Sequence, residues 1–231
     1  MSYTYKYPRP ALTVDTVVFG LDVDNNKWLV LLVERGGEPF KGKWAIPGGF
    51  VNVGESVDDA ALRELEEECG VKKVFIEQLY TFGAPDRDPR EHVVSVAYLV
   101  LVNIKDQQII AGSDASRAEW FPVKSLPKLA FDHQKILAMA KKRLQGKIRY
   151  DPLGFELLPK KFTLTQLQNL YETILDTPLD KRNFRKKVQA QGILRDLGEI
   201  QKNVTHRAAK LYSFDKRAYR KVVKSGGHFS F

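Results

Sequence analysis

The chain has 231 residues, 43% hydrophobic and 28% charged, which fits a folded protein and excludes a disordered or low-complexity one. Its net charge is +9, and its one cysteine, Cys69, excludes an intrachain disulfide. No apolar run approaches the roughly 20 residues of a membrane span, and MSYTYKYPRP lacks the apolar segment of a signal peptide, so the expected location is the cytoplasm.

LTVDTVVFG (12–20) and WLVLLVE (28–34) are rich in β-branched and aromatic residues and predict two strands around the turn-forming DVDNN. GGFVNVGESVDDAALRELEEECGV follows, with a helix whose cap is Ser56, with Asp59 three residues on, and whose end is Gly70. Val57, Ala61 and Leu65 recur at four-residue spacing and form its core side. KVFIEQLYTFG (73–83) and HVVSVAYLVLV (92–102) predict two more strands, separated by the polar loop GAPDRDPRE. AEWF (118–121) fits a short strand, and 132–145 a helix capped by Asp132.

The texture then changes. Residues 146–162 have two prolines, two glycines and no clean period, and are expected to link to a second domain. Leu164, Leu167, Leu170, Tyr171 and Ile174 share one helical stripe, capped by Thr163 or Thr165. DTPLD breaks that helix, and DKRNFRKKVQA (180–190) begins another, capped by Asp180. ILRDLGEIQKNVTHRAAKLYSF alternates as a β-hairpin does. Charge segregates the same way: residues 1–150 carry 21 Lys+Arg against 20 Asp+Glu, whereas 151–231 carry 16 against 8. The expected domains are therefore 1–150 and 151–231. The second either meets an acidic partner or presents a solvated basic surface.

Glu64, Glu67 and Glu68 stand at i, i+3 and i+4 and share one face of the acidic helix. Such a face must be solvated or must hold divalent cations, and magnesium favours oxygen ligands shared with substrate phosphates. Gly48 and Gly49 allow close approach of backbone to a phosphate, Glu55 can join from the loop, and Arg63 can anchor loop to helix by pairing with a carboxylate. Gly49, five residues, Glu55, seven residues, then Arg63-Glu64-Leu65-x-Glu67-Glu68-x-Gly70-Val71 resembles the Nudix box at every defined position. The resemblance implies an α/β/α sandwich with a mixed sheet, Mg²⁺ or Mn²⁺ on Glu64, Glu67 and Glu68 (which would also be the catalytic residues), and substrates that are nucleoside diphosphates linked to another group.

Residues 83–102 resemble the loop and strand of Nudix enzymes that act on ADP-ribose. On that resemblance Arg87 and Arg90 pair with phosphates or a ribose, and Asp86 and Asp88 accept sugar hydroxyls. Trp44 and Phe40 are candidates to stack on adenine, with core packing the alternative for Trp44. Arg35 looks like the arginine many Nudix domains direct at the ligand. Glu91 is a candidate water-activating base, with an ordinary surface role as the alternative.

In LDKRNFRKKV, Leu179, Phe184 and Val188 can anchor one face while Lys181, Arg182, Asn183, Arg185, Lys186 and Lys187 occupy the rest. A helix of that layout suits the DNA major groove, since cations meet phosphates while Arg and Asn read guanine and adenine edges. The preceding helix and short break supply a helix-turn-helix, and Thr205, His206 and Arg207 fall near the tip of a wing-like hairpin. The Nudix box with PLGFELLPKKFTLTQLQNLYE, LDKRNFRKKV and RAAKLYSF resembles, over roughly residues 8–222, the Nudix-related transcriptional regulators of NAD metabolism. Arg207-Ala208-Ala209 departs from the Arg-Pro-Ala of many members, which bears on the path of the wing.

The family resemblance implies an α+β chain of Nudix domain plus C-terminal winged helix. It implies a homodimeric repressor of NAD biosynthesis or salvage genes that leaves its double-stranded operator when it binds ADP-ribose. The alternative is a Mg-dependent ADP-ribose pyrophosphatase giving AMP and ribose 5-phosphate. Related sugar-responsive regulators share the architecture with decayed Nudix boxes; here the box is intact, and a regulator with weak or absent turnover is the favoured reading.

Overall fold

The computed structural model describes residues 5–227 and 229, apart from 73, 111, 113, 114, 203, 205 and 206. By internal contacts it divides into two compact units. The first is 1–19, 29–100 and 107–140; the second is 20–28, 101–106 and 141–231.

The first unit holds most of a sheet of β1 (Ala11–Asp22), β2 (Lys27–Arg35), β3 (Trp44–Ala45), β4 (Gly48–Phe50), β5 (Phe75–Phe82), β6 (Val93–Asn103) and β7 (Ala115–Pro122), of which residues 20–22, 27–28 and 101–103 count with the second unit. The order is β3-β2-β1-β6-β5, with β4 on β1 and β7 on β2, both antiparallel. β1 and β6 are buried almost end to end, as strands covered on both faces are. α1 (Val57–Cys69) covers one face: Ala60 and Ala61 cluster with Val14 of β1 and with Val96 and Tyr98 of β6. Strand alternation turns Asp15 and Ser95 to the other face, where the first turn of α2 (His133–Lys147) begins. All four predicted strands form, each within two residues of its expected ends, and AEWF lies inside β7. β3 and β4 are too short to show a period.

α1 has the predicted ends. The Ser56 hydroxyl accepts from the Asp59 N–H at 3.1 Å, and Gly70 closes the helix in the left-handed region at φ 71°. Asp58 and Asp59 in the first turn favour its positive end, and Tyr98 donates a very short hydrogen bond to Asp58. Cys69 is buried, which pushes its thiol pKa up and leaves it unreactive.

In the second unit, residues 146–162 are more than a linker. A 3-10 helix at Pro152–Leu157 buries Pro152, Leu153, Phe155 and Leu157. Its apolar residues sit too close in sequence to read as a strand or α-helix period. α3 (Leu164–Leu175) opens with a capping box, Thr163 being the cap: Gln166 N–H donates to the Thr163 hydroxyl and Thr163 N–H to the Gln166 side chain. α4 (Lys181–Ala190) is capped by Asp180, whose carboxylate accepts from Asn183 N–H at 2.8 Å. β8 (Leu194–Ile200) and β9 (Lys210–Phe214) form the antiparallel hairpin, and Phe162 exchanges two backbone bonds with Tyr212 beside it. α5 (Lys216–Lys224) follows the hairpin.

Leu65 is fully buried at the centre of the predicted core stripe of α1. Leu65→Ala is expected to cost about 2–5 kcal/mol, because the sheet beneath cannot close over the vacated volume. Urea unfolding followed by tryptophan fluorescence checks it.

Candidate functional site

At one end of the first unit's sheet lies a cavity of about 660 Å³. Its acidic wall comes from α1. The Arg63 guanidinium grips Glu55 with two bonds, at 2.7 and 2.9 Å, and also reaches Glu64 (2.7 Å), Glu67 (3.0 Å) and the Phe50 carbonyl (3.0 Å). It thus ties the loop to the helix, as the sequence predicts, and offsets the repulsion among the carboxylates. Its hydrogen bonds hold the Glu55 carboxyl at a pKa of about 2, while the carboxylates raise its own pKa. Glu64 is half-buried, and burial raises its pKa against the pull of Arg63.

Two glycines bring backbone to this wall. Glu68 accepts the Gly48 N–H at 2.9 Å, and a Cβ on Gly48 would stand 2.1 Å from the Val14 carbonyl oxygen. A Cβ on Gly49 would lie 2.4 Å from the Glu64 carboxylate. Neither position accepts a larger residue without moving strand or ligand-facing acid. Glu64 and Glu68 line the cavity with Gly49; Glu67, its side chain 60% exposed, lies beyond that lining.

The opposite wall is cationic. Arg35 donates to the Pro39 carbonyl at 2.8 Å and sits 4.9 Å over the Phe131 ring. Burial, and then Arg90 nearby, lower its pKa. Arg90 is fastened to Asp88 by two bonds, at 3.0 and 2.8 Å, and spans Phe50 and Phe131. Arg87 lines the cavity but only 5% of its side chain is exposed. It bonds Asp132 twice, at 2.8 and 3.3 Å, and Asp15 at 3.2 Å. Its charge is therefore largely spent inside the protein.

Asp15 also accepts from Ser95 at 2.5 Å and faces His133 Nε2 at 3.4 Å, while His133 Nδ1 accepts the Ile46 N–H at 2.9 Å. The ring is thereby fixed with its proton on Nε2, and burial lowers its pKa.

Other predicted residues fall outside the lining. Phe40 packs edge-on against Phe131, with centroids 4.8 Å apart. Trp44 packs edge-on against Phe121 under the Arg117 guanidinium. Asp86 and Glu91 are exposed and do not line the cavity. Nothing in the sequence pattern singles out Asp15, Phe131 or His133. Phe131, two residues before α2, is held at a positive φ of 49° that a bulky side chain seldom adopts, which nothing in the chain announces.

In the second unit, α3 and α4 meet through Phe184 and Val188, both buried, with Phe184 edge-on to Tyr171. Glu172 accepts the Leu179 N–H at 2.8 Å and Gln168 donates to the Leu179 carbonyl at 3.1 Å, so α3 side chains satisfy the backbone of the break. That fixes the turn between the helices. Lys181, Arg182, Asn183, Lys186 and Lys187 are exposed. Arg185 is half-buried and donates to Thr165 of α3 at 3.2 Å, which makes it a strut between helices. Arg207 is exposed after β8; Thr205 and His206 lie outside the described residues. No described helix is long and apolar enough to cross a membrane.

Chemically, the cavity opposes carboxylates to guanidiniums across a space fit for a polyanion with its cations, and α4 offers cations to a larger polyanion. Residues 11–140 match the NUDIX domain family and 154–214 the NrtR DNA-binding winged helix domain. The ADPR responsive transcriptional repressor NtrR of Acinetobacter baylyi is 39% identical over 92% of this chain and 85% of its own length. The solved Shewanella oneidensis NrtR complexed with a 27mer DNA superposes with TM-score 0.80 at 34% identity, covering 94% of this chain and 97% of that one. The NUDIX domain of the same NrtR complexed with ADP ribose is 38% identical, with TM-score 0.55, covering 62% of this chain and 94% of that one.

His133 generates a test of the cavity floor. Its folded pKa lies below the unfolded value near 6.5, so the unfolded chain takes up a proton that the buried ring, among Asp15, Arg87, Asp132 and Arg35, refuses. Stability is lost as pH falls below about 6.5. His133→Asn keeps an acceptor for Ile46 N–H but cannot titrate, and its stability is expected to fall less between pH 7 and pH 5, by up to about 2 kcal/mol. Urea titrations of both proteins across that range measure it; parallel profiles would refute it.

Proposed function

The chain belongs to the NrtR family of Nudix-domain transcriptional repressors, and on that premise we propose that it holds operator DNA through α4 and releases it when ADP-ribose fills the cavity. The observation that carries this reading is the union in one polypeptide of a cavity with carboxylate and guanidinium walls and a helix pair whose second member exposes Lys181, Arg182, Asn183, Lys186 and Lys187. We assign sensing to residues 1–150 and DNA binding to 151–231, in line with the two matched family segments.

In this assignment Arg35 and Arg90 meet the pyrophosphate, Asp88 holds Arg90 in place, and Gly49 keeps the acidic wall clear of side chains. Arg87 shapes the floor, and Asp86 is the candidate acceptor at the cavity's outer loop. Phe40 and Trp44 support the aromatic side, Phe40 through its contact with Phe131. A magnesium or manganese ion would be held by Glu64, Glu67 and Glu68. Among the described residues no three His, Cys, Asp or Glu side chains are already gathered as a cage. Yet hard carboxylate oxygens suit an ion that keeps its waters and shares itself with phosphates. Bound there, it would neutralise charge on the pyrophosphate.

On the DNA side Lys181, Lys186 and Arg207 meet phosphates while Arg182 and Asn183 reach base edges. The protein acts as a cytoplasmic homodimer, each copy presenting one reading helix to a half-site, on genes for NAD synthesis or salvage. ADP-ribose, a product of NAD breakdown, lowers operator affinity because it favours the arrangement that DNA does not.

A second reading, hydrolysis of ADP-ribose to AMP and ribose 5-phosphate, is favoured by the complete set of carboxylates. Against efficient turnover stands Glu91, the candidate base, which is exposed and outside the cavity lining.

A gel shift on the chain's own upstream region, with and without ADP-ribose, tests the main reading. Retardation is expected, and ADP-ribose should reverse it. Arg182→Ala with Lys186→Ala should weaken operator binding by about tenfold or more while calorimetry finds ADP-ribose affinity unchanged. Undiminished DNA binding would move the reading helix elsewhere. Glu67→Gln with Glu68→Gln should remove any metal-dependent release of AMP; surviving turnover would place the metal off this helix.

A further inference from the structure

We propose that α5 is a second DNA contact, a clamp on the phosphate backbone beside the stretch that α4 reads; it rests on the DNA-binding reading above. Arg217, Arg220, Lys221 and Lys224 stand at i, i+3, i+4 and i+7, one stripe of a helix, and all four are exposed. The other side, Ala218, Tyr219 and Val222, is half-buried, and Tyr219 lies against Phe214, which stacks on Phe155 with centroids 4.3 Å apart. The helix is thus pinned with its cations outward.

Those cations lack internal compensation. Lys216 pairs with Glu156 at 2.9 Å, but among the described residues the four stripe cations make no ion pair. Arg217 and Lys221, and Arg220 and Lys224, are like charges at i, i+4, an arrangement that destabilises a helix by a few tenths of a kcal/mol per pair. Arg217 also sits in the first turn, at the positive end of the helix dipole, where a cation is unfavourable. A polyanion removes these penalties, and release of its condensed counterions drives the association.

Position and composition select duplex DNA as the occupant. Asp215 N–H donates to the Ile193 carbonyl at 2.8 Å and Arg195 pairs with Asp215 at 3.0 Å, so the cap of α5 is tied to the segment that follows α4. The stripe thus belongs to the same unit as the reading helix, and its four cations match the charge of a phosphate backbone. It carries no exposed aromatic ring on which unpaired bases could stack, as a single-strand site requires. Of its apolar residues only Val223 is exposed, whereas a membrane-surface helix keeps a broad apolar face for lipid. α5 also lies beyond residue 214, where the winged-helix family match ends.

The test uses the full chain and fluorescence anisotropy in a salt series, on a duplex that the wild type enriches from a random pool and on its scrambled form. Arg220→Gln with Lys221→Gln and Lys224→Gln is expected to weaken both complexes about tenfold or more and to lower the slope of log affinity against log salt by about 2–3. The preference for the selected duplex should stay unchanged, since phosphate contacts carry no sequence information. Arg220→Lys should retain the wild-type slope. Arg217→Gln with Lys221→Gln repeats the test should the triple variant fail to fold by circular dichroism. Unchanged affinity and slope, or a loss confined to sequence preference, would overturn the clamp. Weaker binding to anionic lipid vesicles with DNA binding intact would overturn it as well. The α4 variant separates the two ideas: if it alone fails on DNA, the reading helix stands and the clamp falls, whereas a wild type that binds no duplex ends both.

Discussion

One guanidinium makes the acidic wall of the cavity possible. Arg63 is shared among Glu55, Glu64 and Glu67, and its last donor is spent on the Phe50 carbonyl. Without that sharing, carboxylates at i, i+3 and i+4 would repel one another and the loop carrying Glu55 would have no hold on the helix. With it, the loop, β4 and α1 form one piece, and Glu64 and Glu68 are turned toward the cavity. A helix that would be a mere solvated face becomes one wall of the cavity.

The opposite wall depends on a second shared guanidinium, buried rather than exposed. Arg87 joins β1 through Asp15 to the start of α2 through Asp132, and the same Asp15 orients Ser95 and His133. Removing one member of such a cluster strands a buried charge, which typically costs about 3–5 kcal/mol. The cluster therefore fixes the floor, and its arginine has little charge left to give a ligand. Arg35 and Arg90 stay open to the cavity beside Phe131, Arg90 with 40% of its side chain exposed although it is bound to Asp88. The division of labour among three arginines follows from burial and pairing.

In the second unit the same logic sorts the cations of α4. Phe184 and Val188 must be buried to hold the helix on α3, and helical geometry then turns Arg182, Asn183 and Lys186 outward. Arg185, beside the buried stripe, is drawn into a bond with Thr165. The backbone of the break is satisfied by Gln168 and Glu172, so the helix pair is held by hydrogen bonds as well as by packing. A rigid pair presents its cations in one geometry, which is what recognition of a regular duplex requires.

By itself the sequence determined what depends on near neighbours. Ser56 and Asp180 cap as predicted, as does Thr163, one of the two threonines expected, since a cap and its N–H lie three residues apart. The bond from Arg63 to Glu55 could be foreseen too, because helix and loop adjoin in the chain. What only the tertiary structure decided are pairings across long separations: Asp15 with Arg87 and His133, Phe131 beneath two arginines, and the 3-10 helix of 152–157 sunk in a core. No period in the chain encodes these, because each residue is placed by a different element. Whether an arginine is a ligand or a strut is likewise decided by burial and partners, which three-dimensional packing alone sets.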